Sequence, residues 1–113
     1  MSLLSDIQTA LSGLDIPIET GVFSDTAPSK YIVVVPLADT FDLHSDNEPG
    51  MDIQEVRLSL FSQGNYTRDK NAIVKRLLAH NLTITDRRYV GYETDTGYHH
   101  YAVDVANYYE MEE

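Results

Sequence analysis

The residues of this sequence whose types could do chemistry are four histidines and a surplus of carboxylates. His99 and His100 are adjacent. On a strand, neighbouring side chains point to opposite faces, so these two do not readily share one metal ion. His44 lies in an acidic stretch and His80 near a predicted helix end, where a cation is favoured. No spacing brings three ligands together, and no metal site is expected. A histidine beside Asp104 has the groups for general acid–base work, although such a pair on a sheet surface is more often simply solvated. The run around Asp42 and Asp46 lacks the ligand order of a calcium loop. There is no G-x-S-x-G, no H-E-x-x-H and no glycine-rich phosphate loop. With zero cysteines, a disulfide framework, Cys-ligated zinc and thiol chemistry are all excluded. The expectation is no catalysis and no cofactor, with an enzyme built on His99, His100 and Asp104 as the minor reading.

Contact chemistry is better represented. Asp39, Asp42, Asp46 and Glu48 fall in residues 37–51, a stretch without apolar periodicity. It reads as a mobile acidic loop or, alternatively, as a long hairpin that extends the flanking strands and orders against a partner. Arg87 and Arg88 are the tight basic pair outside the second predicted helix. Six of the eight tyrosines follow residue 88, a pattern that suits both cross-strand packing and an interface. Eight basic against eighteen acidic residues give −10, which argues against attraction to nucleic acid or an anionic membrane. Apolar runs are too short to span a bilayer, and the N-terminus lacks a basic signal-peptide region. A cytosolic protein is expected. At 113 residues, one domain is expected, able to bury roughly two-thirds of its unfolded surface.

The elements that must position these groups follow from periodicity. Leu4, Ile7, Leu11 and Leu14 share one face of a first helix, with Gly13 as its stop. Residues 15–20 are extended because Pro17 bars a helix. Tyr31–Val35 is a continuous apolar run that predicts a strand covered on both faces. Residues 52–61 alternate, with Val56, Leu58 and Leu60 inward. Asn65 or Thr67 caps a second helix, in which Ile73/Leu77 and Val74/Leu78 form two apolar rows. Asn81 suits its end. A hairpin closes the chain, with Gly97 in its turn and Tyr101, Val103 and Val105 on one face of the last strand. The sum is an α+β domain over residues 1–113, with a mostly antiparallel sheet, two helices and the order α-β-β-β-α-β-β.

The stretch Val56-Arg-Leu-Ser-Leu-Phe-Ser-Gln-Gly-Asn-Tyr66, the helix with Ile73-Val-Lys-Arg-Leu-Leu78, and the hairpin ending Tyr98-His-His-Tyr-Ala-Val-Asp-Val105 resemble the tail-completion and head–tail joining proteins of long-tailed phages and prophages. The resemblance covers roughly residues 50–113, with the first half matching by element order. It implies a tail-terminator-like fold and a structural subunit, made in the host cytoplasm. Such subunits assemble into a ring, commonly six-fold, at the head–tail interface of the virion. The implied partners are the tail-tube protein and the head connector protein, with DNA passing through unbound. Six copies at −10 would set about −60 formal charges around the channel before screening. A ring needs two different, complementary patches on each subunit. Asp39, Asp42, Asp46 and Glu48 facing Arg87 and Arg88 of the next copy are the candidates. The alternative is a small acidic regulatory or inhibitor domain that binds one partner without catalysis.

Overall fold

The computed structural model describes residues 2–20, 28–43 and 49–110. In chain order the elements are α1 (Leu3–Ala10), β1 (Ile18–Thr20), β2 (Lys30–Leu43), β3 (Pro49–Ser62), α2 (Tyr66–Ala79), β4 (Thr83–Tyr92) and β5 (His99–Glu110). The strands form one sheet in the order β1-β2-β3-β5-β4. Only β1 and β2 run parallel; the other three pairings are antiparallel. The α+β fold and its order α-β-β-β-α-β-β are as the sequence predicts.

Both helices pack on one face of the sheet. Leu3, Ile7, Ala10 and Leu11 from the first helical segment, and Ile73 and Leu77 from α2, meet Ile32, Val34, Val56, Leu58, Leu60, Tyr101, Val103 and Val105. The alternation in β3 and β5 dictates this, because every second side chain faces the helices. Helix ends are set by local hydrogen bonds. The Ser2 hydroxyl accepts from the Ser5 N–H (3.2 Å) and the Asn65 side chain from the Thr67 N–H (3.2 Å). At the other end of α2, Asn81 takes φ 61°. The N–H groups of Asn81 and Leu82 donate to the carbonyls of Leu78 and Leu77, at 3.0 and 3.1 Å. This is a Schellman motif, and buried Leu82 sits where its hydrophobic contact is made. Gly97, at φ 79°, supplies the left-handed residue of the β4–β5 turn.

Three expectations meet the structure differently. First, of the two readings of residues 37–51, a loop or a long hairpin extending the flanking strands, the strands follow the second: β2 runs on to Leu43 and β3 begins at Pro49. The two strands pair from Ala38↔Glu55 out to Leu43↔Pro49, which gives the backbone of this acidic stretch hydrogen-bond partners that a loop would lack. Register shifts at Pro36/Ala38 and Asp42/Leu43 interrupt the alternation, which is why a period of two is not visible there. Second, Tyr31–Val35 is covered unevenly. Ile32 and Val34 enter the core and Val33, on the other face, is also buried, but Val35 is 38% exposed. Third, α1 buries Leu3 where Leu4 and Leu14 were expected, and those two are only partly buried. α1 also ends at Ala10, with Leu11 rather than Gly13 as its cap. Gly13 instead lies under the Arg76 guanidinium.

The long β2–β3 hairpin gives the molecule extents of 53 × 25 × 25 Å.

Candidate functional site

On the face of the sheet away from the helices, β3 and β5 set Arg57 directly opposite Asp104. The guanidinium donates two hydrogen bonds to the carboxylate, from Nε at 2.8 Å and from Nη2 at 3.0 Å. Asp104 is buried, and its side chain keeps 9% exposure against 37% for Arg57. Asp104 is therefore engaged by an arginine rather than by either imidazole. A cleft of 350 Å³ on this face is lined by Arg57, Arg88, Tyr89, Val90, His100 and Ala102. Both arginines there are already neutralised, Arg57 by Asp104 and Arg88 by Asp86 at 2.7 Å.

His100 stacks on Phe61 at 4.3 Å, and Phe61 in turn meets Tyr31 and Tyr98. The imidazole Nε2 is buried and, among the described residues, has no hydrogen-bond partner. Burial lowers the His100 pKa below its ordinary 6.5; Glu93 opposes this and Arg57 adds to it. The unfolded chain takes up this proton near pH 6.5, whereas the folded chain does so only at lower pH. Stability is therefore fully present above about pH 6.5 and declines as pH falls below it. His100→Phe keeps the stacking and removes the proton. Its urea-unfolding midpoint is expected to fall less than that of the wild type between pH 7 and pH 5, and parallel curves would contradict this.

His99 points the other way. Its Nδ1 is 2.9 Å from the Tyr89 hydroxyl, and its ring lies against Tyr66, Tyr89 and Tyr92. His80 caps α2, with Nδ1 3.1 Å from the Arg76 carbonyl, and His44 lies outside the described residues. Among the described residues, no three metal-ligating side chains come together. The geometry of the site is one of packed aromatics and closed ion pairs. No protein-family model and no curated protein matches this chain. Its own charges and exposed surfaces must carry any functional reading.

The interface candidates are scattered more than their sequence spacing suggests. Asp39, exposed, and Asp42 belong to β2, while Asp46 and Glu48 lie outside the described residues. Arg87 and Arg88 do not form one patch. Arg87 pairs in register with Val103 of the core face, while Arg88 pairs with Ala102 of the open face. Arg88 is held by Asp86 on its own strand. Arg87 is exposed and has no ion pair among the described residues.

Two features were missed by sequence reasoning. The Arg57–Asp104 pair needs the β3–β5 register, which no local pattern supplies. Leu78, expected in an apolar row of α2, is instead 55% exposed. Of the late tyrosines, Tyr98 and Tyr101 are buried, whereas Tyr89, Tyr92 and Tyr108 are 45%, 52% and 57% exposed. Among the described residues, no helix is long and apolar enough to cross a membrane.

Proposed function

We propose that this chain is a structural subunit of a phage or prophage virion, closing into a ring that ends or joins the tail tube at the head–tail interface. The observation that carries the reading is where exposed charge lies that has no ion pair among the described residues. Asp39 holds such a charge on β2 and Arg87 on β4. β3 and β5 lie between these strands, a separation of three strand spacings or about 14 Å. These groups are too far apart to neutralise each other within one subunit across the sheet. Opposite charges on opposite sides of a protomer are what a head-to-tail ring requires, since each copy then offers a different patch to each neighbour.

The net charge supports the same reading. A six-fold ring of such subunits surrounds its axis with acidic protein, which repels DNA phosphates and lets the genome pass without specific binding. The tail-tube protein and the head connector protein are the partners this role entails. Negative-stain images of the concentrated protein test the proposal. Closed rings with an axial opening are expected, and isolated particles in every field would overturn it.

A further inference from the structure

We infer that the solvent-facing stripe of α2 receives the β2–β3 arm of a second copy, a contact that rests on the ring reading and names its two surfaces. α2 carries Arg68, Lys70, Lys75 and Arg76 against Asp69 alone, a net +3 in a chain of −10. Half of the protein's eight basic residues thus sit on one 14-residue helix. Asp69 is itself taken by Lys30 at 3.4 Å. Arg68 and Lys75 are exposed and, among the described residues, have no ion pair. They are seven residues apart, two turns of helix, and so lie on the same stripe.

Leu78 lies on this stripe three residues beyond Lys75. It is a large apolar side chain, 55% exposed. Arg87, on the sheet face that the helices cover, is likewise exposed and without an ion pair among the described residues.

The arm has the complementary character. From Leu37 to Leu43 its β2 strand holds Asp39 and Asp42 and no basic residue. Leu37 is 40% exposed and Asp39 is exposed without an ion pair among the described residues. β1 pairs only as far as Val34, and among the described residues no other strand pairs with the outer edge of β2 beyond that point. An apolar side chain two residues from an exposed acid thus faces, on another copy, an apolar side chain three residues from an exposed base. The two surfaces are different, so the contact is heterologous and propagates around a ring instead of closing a two-fold dimer.

A charge exchange tests the contact. One variant carries Asp39→Lys and Asp42→Lys; the other carries Arg68→Glu and Lys75→Glu. Circular dichroism establishes that each is folded, and sedimentation velocity reads assembly. Each variant alone is expected to need a roughly tenfold or higher concentration to assemble than the wild type, because like charges then face each other. An equimolar mixture is expected to recover assembly, since every contact in an alternating ring is again between opposite charges. Either variant assembling alone as the wild type does would overturn the contact and leave α2 to a foreign acidic partner. Two folded variants that stay apart when mixed would also overturn it. A wild-type chain that is itself monomeric throughout would instead overturn the ring reading on which the contact rests.

Discussion

Leu77→Ala is expected to lower the free energy of unfolding by about 3–4 kcal/mol. Leu77 is fully buried and belongs to the cluster where α2 meets the sheet. Its removal leaves a cavity that neighbours on a hydrogen-bonded sheet cannot close by shifting. The neighbouring Leu78→Ala supplies the contrast. That side chain is 55% exposed, so its loss should change stability by no more than about 0.5 kcal/mol. Urea unfolding reads both variants, as a midpoint shift at constant slope. Equal effects of the two substitutions would mean that α2 is rotated from the orientation described. A stable Leu78→Ala protein that assembles poorly would place this leucine's role between copies.

Arg57→Met is expected to cost about 2–3 kcal/mol. Breaking a buried ion pair ordinarily costs more, but Arg57 keeps 37% exposure and its contribution is reduced by solvent. The cost arises because Asp104, with a side chain only 9% exposed, is left without its bidentate partner. The double variant Arg57→Met with Asp104→Leu removes both charges and is expected to return to within about 1 kcal/mol of the wild type. A double variant as unstable as the single one would show that packing, and not the unpaired carboxylate, sets the cost. Neither substitution touches α2 or the β2 arm, so both should leave the contact between copies intact wherever the monomer still folds.

Local rules make most of this fold readable in the chain. The strict alternation of Val56, Leu58 and Leu60, and of Tyr101, Val103 and Val105, marks β3 and β5 and the face each buries. Asn65 at the start of α2, Asn81 just beyond its end and Gly97 in the last turn each satisfy a backbone requirement within a few residues. What the sequence hides depends on register or on neighbouring layers. Two bulges conceal the strand character of residues 37–43. Val35 is exposed, although nothing in its apolar run announces this. Leu78 keeps step with Val74 in the sequence but ends up in solvent, because the core accepts only the row of Ile73 and Leu77. The candidate site is less legible still. Arg87 and Arg88 are adjacent in sequence yet lie on opposite faces of the sheet, and the basic surplus of α2 acquires meaning only once Arg68 and Lys75 prove exposed and, among the described residues, without an ion pair.

The central claim is self-assembly into a closed ring, and light scattering of the purified protein across a wide concentration range tests it most directly. The account predicts a discrete species near six times 12.8 kDa, growing with concentration and weakened by salt, as a contact between exposed charges must be. A mass of 12.8 kDa at every concentration and every ionic strength would contradict it.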